Sequence, residues 1–386
     1  MRLLHTSDWH LGRSLHRADL RDAQAAFLDG LVDVVRSERV DVVLVAGDVY
    51  DRAIPSVDAV DLCEGVLVRL REAGTRVVLI SGNHDSARRL GFGSRLVDAA
   101  GVHLRTRVST CAEPLLLSDD HGPVAVYGVP YLEPEAVRGE LPGPEPEEPV
   151  RGHAAVLGRA LAAVRADISG RGARRSVALA HAWVGSATAS DSERDITVGG
   201  VASVPAGLFD GITYTALGHL HGPQTLREGL RYSGSPLAYS FSEAGHVKGS
   251  WLVELDAAGL SRVEHVPAPV PRRLSTLRGP LTELLSSSAY DGKQGDWLQV
   301  TLTDAARPDE AMARLTQRFP HVLVLRHEPE GAVADDRTYT ARVSGRTPLQ
   351  VGEAFVAHVR GTPIEEPERA LLTEALEAAR LVEVGA

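Results

Sequence analysis

The sequence predicts an α/β protein in which helices flank β-sheets, followed by a smaller α/β unit and a pair of helices. Three observations lead there. Short β-branched runs alternate with helical stretches through the first half. Those runs are almost wholly apolar, as strands are when helices cover a sheet. Beyond a proline-rich break near residue 270, a compact strand–helix–strand pattern begins again on a smaller scale.

In chain order, strands are expected at Leu3–Ser7, at "DVVLVAGD" (Asp41–Asp48) and at "RVVLISGNHD" (Arg76–Asp85). A helix over about Leu20 to Arg36 places Phe27, Leu31, Val34 and Val35 on one face, and a second, following Ser56, carries Val60, Leu67 and Leu70. "YLEPEAVRGELPGPEPEEP" (Tyr131–Pro149) reads as an exposed loop, since it is too rich in proline and glutamate to build a core. A helix at about Ala154–Ala166 leads to the strand "RSVALAHAWV" (Arg175–Val184), the polar loop "GSATASDSERD" and the strand "ITYTALGHLHG" (Ile212–Gly222). Arg231–Ser233 and Gly249–Asp256 fit further strands. "VPAPVPRRL" (Val266–Leu274) reads as a linker. After the second α/β unit, two amphipathic helices are expected from Thr347, one striped by Val351, Phe355 and Val359, the next by Leu372, Leu376 and Ala379. The boundaries are therefore 1–270, 275–345 and 347–386.

At 386 residues the chain accommodates one large core plus a smaller domain. With 44% hydrophobic and 24% charged residues and no apolar run long enough to span a bilayer, it reads as soluble and cytoplasmic rather than membrane-embedded or secreted. Cys63 and Cys111 stand far apart in no CxxC pattern, which suits reduced, buried thiols. A net charge of −10 argues against a global basic field for holding nucleic acid, yet leaves room for a local basic groove or a metal-mediated phosphate contact.

The chemistry collects at strand ends. "HTSDWH" brings Asp8 and His10, Asp48 closes "VVLVAGD", Asn83 and His84 close "VVLISGNHD", His181 closes "SVALAH", and His219 and His221 close "YTALGHLH". Gly47, Gly82 and Gly218 stand immediately before such residues, where a backbone turns sharply near a ligand. Carboxylate, amide and imidazole donors in this mixture suit two adjacent divalent ions of the Mn²⁺ type better than a zinc–thiolate site. Each motif alone also fits a cap, a turn or a hydrogen-bonded core residue; it is their joint occurrence, always at strand ends, that selects the metal reading.

The order Asp-x-His, Gly-Asp, Gly-Asn-His-Asp, a single His and Gly-His-x-His resembles the calcineurin-like metallophosphoesterase superfamily. That resemblance implies two mixed sheets facing each other between helices. It implies that Asp8, His10 and His221 hold one ion, that Asn83, His181 and His219 hold the other, and that Asp48 bridges them. It makes His84 the imidazole beside the scissile phosphate, with Asp85 orienting it. Longer stretches, among them "HTSDWHLGRSLH", "GDVYDRAIPS", "GNHDSARRLGFGS", "SDSERDITVGGVASVP" and "RYSGSPLAYSFSEAGHVKG", resemble the SbcD family of bacterial DNA double-strand-break nucleases across about residues 1–270, and more weakly beyond. This narrower likeness implies a manganese-dependent 3′-to-5′ exonuclease and hairpin endonuclease acting on double-stranded DNA in recombination and repair. Its partners would be a coiled-coil ATPase of the SbcC type and a second copy of the chain. Residues 275–345 would then form a cap and 347–386 a docking element for the ATPase.

One departure stands out. Archaeal and eukaryotic relatives place a second histidine three residues after the bridging aspartate, where this sequence has Asp51, either an outer orienting carboxylate or a capping residue. Arg13, His16 and Arg88, each in a loop just past metal-site residues, are candidate phosphate contacts. "SDSERD" (Ser190–Asp195) is placed to shape a groove, while His5, His103, His153 and His265 receive no role. Two rival functions remain: a phosphomonoesterase or cyclic-nucleotide phosphodiesterase with the same metals, and a non-catalytic DNA-end scaffold. The separate unit at 275–345 favours a polymer over a small substrate, and the complete ligand set favours catalysis.

Overall fold

The computed structural model describes residues 1–141, 151–194, 196, 203–330, 345–360 and 362–384. They fall into two compact units, Met1–Arg273 and Leu274–Ala386.

The first unit carries strands β1 (Arg2–Thr6), β2 (Ser14–Leu15), β3 (Ala18–Asp19), β4 (Val42–Ala46), β5 (Arg76–Ile80), β6 (Val102–Leu104), β7 (Leu115–Asp119), β8 (Gly122–Val129), β9 (Ser176–His181), β10 (Tyr214–Gly218), β11 (Gln224–Arg227), β12 (Leu230–Tyr232), β13 (Gly249–Leu255) and β14 (Leu260–Pro267). One six-stranded sheet runs β14-β13-β1-β4-β5-β6 and the other β11-β12-β10-β9-β8-β7. In the first, β1, β4, β5 and β6 are parallel, while β13 and β14 add antiparallel strands at one edge. In the second, β12, β10, β9 and β8 are parallel between antiparallel β11 and β7. Each sheet therefore gathers the carboxyl ends of its central strands on one edge, the place where open α/β sheets bind ligands.

Because side chains alternate across a strand, each sheet serves two cores. Leu3, Val42, Leu44, Ala46, Val78 and Ile80 face Val126, Val177, Leu179, Tyr214 and Ala216 of the other sheet. The intervening Leu4, Val43, Val45, Val77 and Leu79 pack instead against Phe27, Leu31 and Val35 of the Arg21–Glu38 helix and Cys63, Val66 and Leu70 of the Val57–Glu72 helix. On the far side, Tyr127, Val129, Ala178 and Ala180 meet Val156, Leu157, Ala160, Leu161 and Val164 of the His153–Arg171 helix. The result is helix, sheet, sheet, helix, with each fully buried aliphatic side chain worth about 1.5–3 kcal/mol. Between the sheets, buried His5 donates through Nε2 to the Leu217 carbonyl (3.1 Å) and accepts the Tyr214 hydroxyl at Nδ1 (2.9 Å). Burial pulls its pKa down to about 3 and keeps it neutral.

Local departures from expectation have local causes. Ser56 caps the second helix by accepting from Ala59 N (3.3 Å), but the buried face is Ala59, Cys63, Val66 and Leu70; Leu67 is only half-buried and Val60 is exposed. The helix expected to stop at Ala166 continues to Arg171, where Gly172 takes a left-handed φ of 61°. Part of the proline- and glutamate-rich stretch is ordered into the core: Leu132, Val137 and Leu141 are buried around a helical turn at Pro134–Val137, whereas 142–149 lie outside the described residues. The expected linker is shorter than Val266–Leu274, since β14 extends to Pro267 and a new strand starts at Leu274.

In the second unit β15 (Leu274–Gly279), β16 (Trp297–Leu302) and β17 (Val322–His327) form a parallel sheet in that order. The Leu281–Ser286 and Ala311–Arg318 helices close its core through Leu281, Leu284, Leu315 and Phe319. The Pro348–Arg360 and Glu366–Val384 helices pair with each other, tied by Arg369–Glu353 (2.7 Å) and Arg360–Glu368 (2.8 Å). Of the expected stripes, Leu372 and Leu376 are half-buried, while Phe355 and Val359 are about 60% exposed. The break expected to start at Ser344 begins outside the described residues.

Candidate metal centre

Every residue anticipated as a ligand sits at the carboxyl end of a central strand, and the two sheets contribute from opposite sides. Asp8 and His10 follow β1, Asp48 follows β4 and Asn83 follows β5; His181 ends β9, and His219 and His221 follow β10. The loops after β1 and β4 run side by side, with Asp8 N on Gly47 O (3.0 Å) and His10 N on Asp48 O (2.9 Å). Asp8, His10, Asp48 and His219 all adopt positive φ, between 45° and 106°. That region costs non-glycine residues energy and is tolerated where the surroundings hold it for a function. Gly218 is required by proximity: a Cβ there would lie 1.9 Å from the Ala46 carbonyl of the opposite sheet. Gly47, at φ 92°, makes the turn that delivers Asp48.

The donor atoms converge. His10 Nε2 and His221 Nε2 are 3.0 Å apart, with Asp8 in the same cluster. Asn83 Oδ1 lies 2.9 Å from His181 Nε2 and 3.1 Å from His219 Nδ1. Asp48 Oδ2 stands between the two groups, 3.7 Å from His10 Nε2 and 3.5 Å from His181 Nε2. Except for half-buried Asn83, all these residues are buried. Imidazole nitrogens aimed at one another, with one carboxylate oxygen between two such groups, form a cradle for adjacent cations, and this oxygen and imidazole donor set fits divalent metal ions.

Charge among these side chains is distributed accordingly. Burial pushes Asp8 up to about 6, against the pull of His181 and His221. Burial also works to raise Asp48, but the His181 ring beside it holds its carboxyl well below the usual carboxylate range. His181, whose burial opposes its charge, is nonetheless raised to about 9 by Asp48, while His219 is lowered to about 3 by burial and by His181.

His84 is half-buried beside the cradle, its ring centroid 4.7 Å from that of His10. Its Nδ1 hydrogen-bonds the Asp51 backbone carbonyl (2.9 Å), and its backbone N–H donates to Asp48 Oδ1 (2.9 Å). Asp85 does not reach the ring. Its carboxylate accepts from Val49 N, Tyr50 N and Gly82 N at 2.9–3.1 Å, joining the loops that carry Asp48 and His84. Burial and the neighbouring Asp48 raise it to about 7. The Asp51 side chain lies 3.9 Å from His10 Nδ1 and 3.7 Å from Arg13 Nε.

Of the candidate phosphate contacts, Arg13 is pinned: it donates to Ser192 O (2.8 Å) and lies 5.0 Å over the Tyr239 ring. His16 stacks on Phe241 and is exposed, as is Arg88. The Ser190–Arg194 segment straps across the centre, with Glu193 Oε1 accepting from His221 N (2.8 Å); Asp195 lies outside the described residues. The sequence reading gave no role to Gln24, whose amide holds the His10 carbonyl (2.8 Å), to Tyr239, or to the buried Glu243 and Lys248. The last two lie in the quoted stretch "FSEAGHVKG", in which a charge of each sign within an otherwise apolar, small-residue run was the available signal.

In comparison with known proteins, residues 1–153 match the calcineurin-like phosphoesterase family. Residues 270–360 match the SbcD_C family, described as the type 5 capsule protein repressor C-terminal domain. Among solved structures, a dimetal phosphatase from Danio rerio is similar at 15% identity and a TM-score of 0.42, covering 70% of this chain and 99% of its own. The protein TT1561 of Thermus thermophilus is similar at 16% identity and a TM-score of 0.39, covering 68% of this chain and 98% of its own.

Proposed function

We propose, on the premise that this chain joins a calcineurin-like phosphoesterase domain to the C-terminal domain of the SbcD family and is a metal-dependent hydrolase, that its substrate is the DNA backbone. The observation that carries the reading is the Asp48 carboxylate set between two donor clusters supplied by opposite sheets. Asp8, His10 and His221 would hold one manganese ion and Asn83, His181 and His219 the other. Such an ion pair neutralises a phosphodiester and lowers the pKa of a water. His84, held by the Asp51 carbonyl, is positioned to stabilise charge or deliver a proton at the leaving oxygen. Asp85 keeps that imidazole in place indirectly, by fixing the backbone on both sides of it.

In this reading residues 1–270 are the nuclease domain, 275–345 a cap, and 347–386 the element that docks an SbcC-type coiled-coil ATPase. The exposed Phe355 and Val359 support the docking role, since an apolar stripe on a helix favours burial against a partner. Exposed Val57, Val60 and Val68 on the Val57–Glu72 helix support a homodimer through core helices. The activity would be 3′-to-5′ exonuclease on double-stranded ends and endonuclease on hairpins, serving recombination, repair and replication in the cytoplasm. Among the described residues no helix is long and apolar enough to cross a membrane. The test is manganese-dependent cleavage of bis-p-nitrophenyl phosphate, of p-nitrophenyl phosphate and of a labelled DNA hairpin. Cleavage of the diester and the hairpin is expected; cleavage of the monoester alone would replace the nuclease with a phosphomonoesterase.

A further inference from the structure

His221 differs from the other imidazoles of the centre in what stands behind it. Its Nδ1 lies 2.5 Å from Ser192 Oγ, and the same hydroxyl lies 2.5 Å from Glu243 Oε1. Glu243 Oε2 is paired with the Lys248 ammonium, and both side chains are 0–2% exposed. Lys248 Nζ donates to the His221 carbonyl (2.8 Å) and to Ser235 Oγ (3.0 Å). A buried ion pair of this kind adds little to stability over an apolar pair of similar size, because desolvation offsets the attraction. Its placement around one residue, gripping both its backbone and its ring, asks for another explanation.

Proton accounting supplies it. A carboxylate only accepts, so the Ser192 hydroxyl hydrogen goes to Glu243. The serine oxygen then accepts from His221, which fixes the ring hydrogen on Nδ1. Nε2, the nitrogen 3.0 Å from His10 Nε2 in the cluster with Asp8, is left with its lone pair directed into the cradle. We propose that Ser192, Glu243 and Lys248 form a positioning relay that fixes the tautomer and orientation of His221 and so sets the affinity of the Asp8–His10–His221 half of the centre for a divalent cation. The proposal rests on the two-ion reading above. Outer carboxylates behind a ligating histidine act in this way, and their loss typically weakens metal binding about 10–100-fold. Lys248 keeps Glu243 ionised and ties it to the His221 backbone, so the relay is anchored at both ends of the ligand. Because Ser192 belongs to the strap over the centre, the relay also couples that strap to the half-site it covers.

The experiment uses the full chain, stripped of metal and titrated with MnCl₂ by calorimetry. Wild type is expected to bind two ions. Glu243→Gln is expected to weaken one of them about 10–100-fold while leaving the other unchanged. As Glu243→Gln leaves a buried lysine unpaired, the double variant Glu243→Gln/Lys248→Met serves as the control: thermal stability is expected to recover and manganese affinity to stay weak. Ser192→Ala keeps the ion pair and tests the link itself. Nitrogen-15 spectra of the metal-free protein are expected to show His221 as the Nδ1–H tautomer in wild type and as a mixture in Ser192→Ala. Two ions bound with wild-type affinities by folded Ser192→Ala and by the double variant would overturn the relay alone. Failure of wild type to bind two ions would overturn the two-ion reading and the relay with it.

Discussion

Replacing His84 by glutamine separates the chemistry of the centre from its assembly. The His84 backbone N–H to Asp48 Oδ1 (2.9 Å) and the three backbone hydrogen bonds to Asp85 involve no imidazole atom, so the loop that presents the residue stays fixed. The side chain itself makes one backbone hydrogen bond, Nδ1 to Asp51 O (2.9 Å), worth about 1 kcal/mol and within the donor capacity of a glutamine amide. The variant should therefore melt within about 2–4 °C of wild type. Its kinetic deficit should be far larger: general acid–base assistance contributes about 10²–10⁴-fold, which corresponds to about 2.7–5.4 kcal/mol of barrier. The assay pairs manganese calorimetry with single-turnover cleavage of bis-p-nitrophenyl phosphate. Two ions bound and a rate at least 100-fold down would support the assignment. Because His84 also lies in a cluster with His10 and Asp48, loss of an ion would make it a ligand instead, and a rate within tenfold of wild type would remove it from the mechanism.

Asp48→Ala should fail to hold a two-ion centre, since Asp48 Oδ2 stands between the two donor groups, 3.7 Å from His10 Nε2 and 3.5 Å from His181 Nε2; two manganese ions in a calorimetric titration would contradict the bridging role. Asp51→Asn should cost less than about tenfold in cleavage rate, because its side chain stands 3.9 Å from His10 Nδ1 and an amide keeps that outer position; a deficit as deep as that of His84→Gln would show that the charge itself takes part. Asp119, away from the centre, accepts from Arg175 (2.6 and 2.9 Å) and pairs with the Met1 ammonium (2.8 Å), and these partners hold its carboxyl below the usual range. A depressed carboxylate contributes stability above its unfolded pKa of about 4 and loses it as pH falls through the lower folded value. Asp119→Asn should thus cost about 1–3 kcal/mol at pH 7 in urea unfolding, and the gap to wild type should narrow toward pH 3; a constant gap would mean that the charge does not matter.

The candidate ligand set was legible because its members carry rare chemistry and stand where apolar runs stop. Asp48 after "VVLVA" and His181 after "SVALA" need no knowledge of the fold to be noticed. Their meeting is a property of topology: the sequence places β4 and β9 about 130 residues apart, and only the facing of two sheets brings Asp48 within 3.5 Å of His181. Elsewhere the pattern was ambiguous. Val60 and Ala59 are neighbours on a helix with apolar residues most of the way round, so hydrophobicity alone could not say which of them turns inward. Prolines at 267, 269 and 271 look like a linker, yet β14 ends on the first of them because an edge strand can spare that N–H. The expectation that Asp85 orients His84 came from the family resemblance; the carboxylate reaches backbone amides and not the ring, a partner choice that sequence does not encode. Glu243 and Lys248 escaped because two charges five residues apart ordinarily read as solvated surface.

That the centre draws Asp8, His10, Asp48 and Asn83 from one sheet and His181, His219 and His221 from the other makes it a caliper laid across the sandwich. Bound cations would tolerate only a narrow range of jaw widths, and the Ala46 carbonyl against Gly218 sets how far the jaws close. The spacing itself is fixed deeper in, by side chains such as Ala216 and Leu44 in the layer between the sheets. A methyl group added there would cost the usual about 1–3 kcal/mol of overpacking. Part of that cost would surface at the rim as weaker grip on the ions. In that sense the interior packing would help to set metal affinity, and core residues with no chemistry of their own would share the constraint on the candidate ligands.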